Sequence, residues 1–181
     1  MLREKIVREI ELPQGIQAKL EGRILSFKGK KGEVVRQIFD PKMKIELSKE
    51  KITLTVLKPS KREKRTINTN RAHIRNMIKG ADEGHTYKLK ICSGHFPMTA
   101  AVSGKEFVVK NYLGEKIPRV VKIKEGATVK VTGADITVES TNLETAGQVA
   151  GDIEQLMRIT NRDRRVFQDG IYIIEKDGKK I

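Results

Sequence analysis

Arg158, Arg162, Arg164 and Arg165 fall together near the end of the chain, in the stretch Ala146 to Lys176, AGQVAGDIEQLMRITNRDRRVFQDGIYIIEK. A guanidinium presents a planar fork of donors that meets phosphate oxygens in pairs, which the point charge of lysine does not. Four such forks on one short segment suit a polyanion. The competing reading is a solvated helix end, where basic residues also favour the helix dipole. The elements around them read as a helix, a dense basic turn and a short strand carrying one tyrosine, Tyr172. Leu143, Ala146, Val149, Ala150, Ile153, Leu156 and Met157 recur at threes and fours and predict one apolar helical stripe. Thr141 and Glu144 fit a capping box at its start. Asp169-Gly170 reads as a turn pair that places Arg165 and Tyr172 on a rigid edge.

Other residues offer weaker chemistry. Gly29-Lys30-Lys31-Gly32 sits between alternating segments, so it is neither the helix-joining Gly-x-x-Gly clamp of KH domains nor a P-loop, which needs Gly-Lys-Ser/Thr before a helix. It is a basic hairpin tip, with turn glycines or phosphate contact by Lys30 and Lys31 as the two readings. His85, Cys92 and His95 are close in sequence, but structural zinc takes four ligands in short paired spacings, and no second pair exists. The alternation of His85, Tyr87, Leu89 and Ile91 predicts strand positions instead. No motif supplies an orienting group or oxyanion donors for a Cys-His nucleophile, so no catalytic residue, metal or cofactor is expected.

Net charge is +14, from 37 Lys and Arg against 23 Asp and Glu, a balance that repels itself unless a polyanion is near. Hydrophobic residues make up 38%, enough for packed cores, and the single cysteine excludes an internal disulfide framework and fits a reducing cytosol. The start, MLREKIVREIELP, has no signal-peptide core, and no stretch approaches the ~18 apolar residues of a membrane span. A soluble cytoplasmic chain is expected. Aromatics number eight with no tryptophan, and no strand resembles the aromatic RNP1 platform that stacks single-stranded bases. Recognition therefore rests on phosphate, sugar and shape, which points to double-helical RNA or DNA.

Ile6 to Leu12 alternates too loosely to fix a face and ends at Pro13 and Gly15. Gln17 to Lys28 predicts two strands turning at Gly22, Glu33 to Phe39 another, and Ile45 to Leu47 with Ile52 to Val56 a hairpin around Ser48-Lys49-Glu50-Lys51. A helix follows Pro59, with a capping box at Ser60 and Glu63, apolar Ile67, Ile74 and Ile78, one face holding Lys64, Arg71 and Arg75, and Gly80 as C-terminal cap. The pattern then repeats. LEGRILSFKGKKGEV from Leu20 lies without a gap on VSGKEFVVKNYLGEK from Val102, at an offset of 104 − 22 = 82. IELSKEKITLTV from Ile45 lies on VKVTGADITVES from Val129, at an offset of 129 − 45 = 84. The expectation is an α+β chain of two tandem duplicated domains, residues 1–82 and 83–181, each a small mainly antiparallel sheet packed with one helix and joined by a hinge at Gly80 to Gly84.

NMIKGADEGHTYKLK from Asn76, HFP from His95, NYLGEKIPR from Asn111 and above all NRDRRVFQDGIYIIEK from Asn161 closely resemble the ribosomal large-subunit protein six family in its archaeal and eukaryotic form. The resemblance covers nearly the whole chain, except that family members often continue beyond the point where this one stops after Lys176. It implies a non-enzymatic constituent of the large subunit, with large-subunit rRNA and neighbouring ribosomal proteins as partners and no small-molecule substrate. The second domain would be the principal holder of 23S-type rRNA, near the sarcin-ricin region where translation factors dock. The contacts it implies are Asn161, Arg162, Arg164, Arg165, Gln168, Asp169, Gly170 and Tyr172, with Lys116 and Arg119. Arg158, Lys30 and Lys31 join them on the reading of charge alone. The alternatives are a stand-alone double-stranded nucleic-acid-binding protein or RNA chaperone and, in a third class, a zinc or thiol enzyme built on Cys92 and His95.

Charge of this kind predicts a steep salt dependence of binding to isolated rRNA. With about five to eight phosphates neutralised, the log-log slope should lie between roughly −4 and −7, and a filter-binding series giving a slope near −1 would mean that the basic clusters face only solvent.

Overall fold

Ile6 and Ile10 turn inward from the first strand, β1 (Lys5–Glu11), although its alternation alone does not select a side. Packing makes the choice, because the strand pairs with a neighbour whose own Ile52, Leu54 and Val56 are fully buried. The computed structural model describes residues 5–48 and 50–181. It divides into two units, Met1–Gly84 and His85–Ile181. Residues 1–4 of the N-terminal stretch and Lys49 of the predicted hairpin turn lie outside the described residues.

In the first unit β1 is followed by β2 (Gln17–Glu21), β3 (Ile24–Gly29), β4 (Gly32–Gln37), β5 (Met43–Leu47), β6 (Lys51–Leu57) and the helix α1 (Lys61–Asp82). The strands form two antiparallel sheets of order β2-β3-β4 and β1-β6-β5, where a single sheet was expected. Antiparallel pairing holds neighbours in register within each sheet, with Leu47 opposite Ile52 and Gly29 opposite Gly32. α1 begins with the predicted capping box. The Glu63 side chain accepts from the Ser60 hydroxyl and, at 3.0 Å, from its backbone N–H. These bonds and an ion pair with Lys42 hold the Glu63 carboxyl down at about 2. Polar on most of its surface, the helix depends on Ile67, Ile74, Met77 and Ile78, each worth about 1.5–3 kcal/mol when fully buried.

The helix does not stop at Gly80. It runs to Asp82, Glu83 caps it, and the residue with left-handed backbone is Gly84, at φ 80°. Tertiary contact explains the difference. Ala81 is wholly buried against the β3-β4 hairpin, where Lys31 donates its backbone N–H to the Ala81 carbonyl at 3.0 Å. The predicted hinge at Gly80 to Gly84 is therefore helical over its first three residues.

The second unit repeats the plan with β7 (His85–Cys92), β8 (Thr99–Ser103), β9 (Glu106–Lys110), a single 3-10 turn at Tyr112–Gly114, β10 (Arg119–Lys122), β11 (Ala127–Thr132), β12 (Asp135–Ser140) and α2 (Leu143–Leu156). Its sheets are β10-β9-β8 and β11-β12-β7-β13-β14, the last two strands being β13 (Gly170–Lys176) and β14 (Lys179–Lys180). Gly22 and Gly104, matched in the repeat, both turn with left-handed backbone, at φ 63° and 60°. Strand β13 has no counterpart among the described residues of the first unit. It pairs antiparallel with the outer edge of β7, setting Ile171 opposite Ile91 and Ile173 opposite Leu89, and it packs on α2. The predicted apolar stripe of α2 is the face that meets the sheet, with Ala146, Val149, Ala150 and Ile153 buried. Its cap is Asn142 rather than Thr141. The Asn142 side chain accepts from the Glu144 N–H at 2.9 Å, while Ser140 accepts from the Asn142 N–H and fixes that residue in place.

Gly29 is where the first unit admits no side chain. A Cβ there would lie 2.5 Å from the Ala81 carbonyl oxygen, so Gly29→Ala must push the hairpin off the helix end. We expect a loss of about 1–3 kcal/mol in urea unfolding, as overpacked contacts give. A change below about 0.5 kcal/mol would show that this end of the helix is loosely held.

Candidate nucleic-acid interface

Residues 158–169 form an arm between α2 and β13, and each end of the arm is tied down by buried groups. Tyr112, from the 3-10 turn, is 1% exposed, and its hydroxyl lies 2.6 Å from the Met157 carbonyl and 3.1 Å from that of Asp169. One O–H thus bridges the two ends of the arm. Burial pushes the hydroxyl pKa up, which keeps it a neutral donor at physiological pH. Arg119 stacks on the Tyr112 ring at 4.3 Å and donates to the Leu156 and Arg158 carbonyls at 2.7 and 3.2 Å, which closes the C-terminus of α2. Its remaining donors grip Glu115 in two bonds of 2.8 and 2.6 Å.

Asp169 is the second anchor. It is 4% exposed and accepts from the His95 backbone N–H at 3.0 Å, with the His95 ring nitrogen Nδ1 2.8 Å from its other oxygen. Burial pushes the Asp169 carboxyl up, but the hydrogen bonds from the His95 side chain and from the backbone of His95 and Gly94 outweigh it and leave the pKa below its ordinary value. The expected turn at Asp169-Gly170 is therefore replaced by a buried acceptor followed by the first residue of β13. A carboxylate paired this way is a stronger constraint than a turn, because leaving it without donors in the interior would cost more than a hydrogen bond returns.

Between the anchors the chain makes a short turn with Asp163 at its centre. The Asp163 carbonyl accepts from Val166 and Phe167, and its carboxylate takes the Arg165 backbone N–H at 2.9 Å and the Arg165 guanidinium at 2.8 to 3.3 Å. The Arg165 bonds depress the Asp163 pKa. Arg165 nevertheless projects from this pairing with 90% of its side chain exposed. The Arg162 guanidinium lies 4.9 Å above the Phe167 ring, which in turn packs on the His95 ring at 4.7 Å. Arg164 and Arg165 lie in the predicted basic turn between helix and strand. They belong to this separate turn, because α2 ends well before it.

Arg158 and Arg164 line a concavity of about 400 Å³ together with Gln168 and Tyr172. Tyr172 folds back over Gly170 and donates to the Gln168 carbonyl at 2.8 Å. A Cβ at Gly170 would meet the Tyr172 ring at 3.1 Å, so Gly170 makes room for the ring. Asn161 takes left-handed backbone, φ 58°, where the chain leaves the helix end. Lys116 is exposed on the loop before Arg119. Lys30 and Lys31 belong to the other unit, where Lys30 pairs with Asp82 at 3.1 Å. Sequence reasoning missed His95, Tyr112 and Phe167 as supports of the arm. His95 and Tyr112 lie in the HFP and NYLGEKIPR stretches and Phe167 in NRDRRVFQDGIYIIEK, where nothing in the spacing shows what they reach.

His85, Cys92 and His95 are dispersed. His85 is buried with Nδ1 3.1 Å from Asp177, Cys92 is exposed at the end of β7, and His95 serves Asp169. Among the described residues no group of three or more His, Cys, Asp or Glu is placed to hold a metal ion. No described helix is long and apolar enough to cross a membrane.

Tyr112→Phe keeps the ring and deletes the bridge. The two carbonyls lose their buried donor, and we expect about 1–3 kcal/mol lost in urea unfolding with an unchanged slope. A loss under about 0.5 kcal/mol would mean that the ring alone holds the arm. Asp169 adds a pH signature. Its folded pKa lies below the unfolded one, so its contribution is complete above the unfolded value near 4 and is lost as pH falls through the folded pKa. The melting temperature of Asp169→Asn should accordingly fall less steeply than that of the unaltered protein between about pH 5 and pH 2, and parallel curves would contradict this role.

A family model described as Ribosomal protein L6 matches twice, over residues 12–84 and 96–170, in keeping with the repeat. Large ribosomal subunit protein uL6 of Methanococcus vannielii is 42% identical over 96% of this chain and 96% of its own length. The proteins of the same name from Methanosarcina mazei and Ignicoccus hospitalis are 40% and 39% identical, covering 96% and 93% of this chain and 98% and 93% of their own lengths. With both halves matched and relatives aligned almost end to end, the chain belongs to the ribosomal protein L6 family.

Proposed function

We propose that this protein is a non-enzymatic structural constituent of the large ribosomal subunit, working in the cytoplasm, and that it holds 23S-type rRNA near the sarcin-ricin region through the arm between α2 and β13. The observation that carries this reading is the pairing of a tethered backbone with outward guanidinium groups. Tyr112 and Asp169 fix the ends of the arm, while Arg158, Arg162, Arg164 and Arg165 are all exposed. Prior fixation matters energetically. A long side chain costs about 0.5–1.5 kcal/mol to immobilise on binding, and a mobile loop adds its own ordering cost, which an arm already folded avoids. Arg162, resting on Phe167, and Arg165, resting on Asp163, are guided before any phosphate arrives.

Within this proposal the implied contacts take different parts. Arg158, Arg162, Arg164 and Arg165 meet phosphates, Asn161, Gln168 and Tyr172 offer polar groups and a ring edge beside them, and Lys116 adds charge from the neighbouring loop. Gly170 acts by admitting the Tyr172 ring, and Asp169 by anchoring the arm. Arg119 positions the arm, since its three nitrogens are engaged by Glu115 and by backbone carbonyls. Lys30 and Lys31 form a secondary patch of exposed charge on the first unit, and the second unit is the principal rRNA-binding domain.

The test compares geometry with charge. Arg162→Lys with Arg164→Lys conserves charge and removes the planar forks, whereas Lys30→Ala with Lys31→Ala removes charge from the hairpin tip. In filter binding to one rRNA fragment at a single stated salt concentration, the arginine pair should lose about 1–3 kcal/mol and the lysine pair under about 1. Equal losses, or a larger loss from the lysine pair, would show that the arm is an ordinary solvated turn.

A further inference from the structure

The duplication exposes a difference at one sheet edge. Ile10 of β1 pairs with Ile52, and Leu89 of β7 pairs with Ile136, the residue aligned with Ile52, so β1 and β7 are counterparts. In the second unit the far edge of β7 is occupied by β13, which buries Ile171 against α2. In the first unit no described strand pairs with the far edge of β1. A groove of about 680 Å³ lies there between β1 and α1. The buried faces of the two helices align with Glu63, Ile67 and Ile74 on Ala146, Ala150 and Met157, at an offset of 146 − 63 = 83. This places Arg71 where the second unit has Glu154, whose carboxylate accepts the Ile173 N–H of β13 at 3.2 Å. Arg71 and Arg75 line the groove, and the Nε of Arg71 is shielded from solvent without a hydrogen-bond partner.

We propose that this groove takes an extended segment of another protein, paired antiparallel to β1, with one acidic side chain facing inward between Arg71 and Arg75. An open edge offers unpaired backbone N–H and C=O groups along β1, the template for strand addition. The two arginines then set the side-chain preference, since a carboxylate satisfies a guanidinium fork. Glu9, Glu11, Asp82 and Glu83 stand around the groove and disfavour a nucleic acid backbone, as they disfavour a segment acidic throughout. The occupant is a strand with a central Asp or Glu and neutral or basic flanks. This proposal does not depend on the RNA reading of the arm, which lies on the other unit.

The probe is a fluorescently labelled heptapeptide with threonine at the outward positions and valine, glutamate, valine at the inward ones, titrated against the full chain by anisotropy. Two controls replace the glutamate with lysine or carry N-methyl groups on the pairing edge. The glutamate peptide should bind at least tenfold more tightly than either control, and Arg71→Ile should abolish the preference for glutamate. Circular dichroism checks that Arg71→Ile keeps the fold. Equal binding of the three peptides, or none, would overturn the proposal without recourse to a variant. So would a loss of rRNA affinity in Arg71→Ile unaccompanied by any change in peptide binding, because the groove would then be an RNA contact.

Discussion

One hydroxyl, that of Tyr112, sets the geometry on which the basic arm depends. It reaches the carbonyl where α2 ends and the carbonyl just before β13 begins, positions 45 and 57 residues further along the chain. Closing the arm between those points removes most of the backbone freedom that would otherwise be lost at binding. The bridge needs a fully buried, neutral phenol, and the Phe107-Val109 strand and the inner face of α2 supply the apolar surroundings. Arg119 completes it by closing the helix end from outside, so one arginine is used for architecture while four others remain at the surface.

The two units show what the second copy gained. Both have paired hairpins ending in a helix, and both keep the left-handed glycine between the first two strands of that plan. After α2 the chain continues through the arm and returns as β13, whereas after α1 it passes through Gly84 into β7. The added strand gives the second unit a buried edge and gives the arm a rigid far end. Its absence leaves the first unit with a groove lined by Arg71 and Arg75. Duplication thus produced one body with an arginine-bearing arm and one with an open strand edge.

Much of this was legible in the sequence. Periodicity located both helices and nearly every strand, because alternation and threefold-fourfold spacing follow directly from which faces are buried. The repeat offsets were visible for the same reason. The helix ends were harder. Gly80 was a plausible stop, but the buried contact of Ala81 with a hairpin distant in sequence carries the helix on. Thr141 was a plausible cap, and its neighbour Asn142 takes the role. Arm residues were found by charge, which is local. Their supports were not, because Tyr112, His95 and Arg119 act across 37 to 74 residues of sequence, and neither hydrophobicity nor spacing reveals such partners.

The central claim is that the arm is already ordered in the free protein. Backbone nitrogen-15 relaxation of the full chain, without RNA, measures this residue by residue. Order parameters of about 0.8 or higher across residues 162–168, close to those of α2 and β13, are the predicted result. Values below about 0.6 over the same residues, beside a rigid α2, would contradict the account, since the arginines would then be ordered only by the RNA they meet.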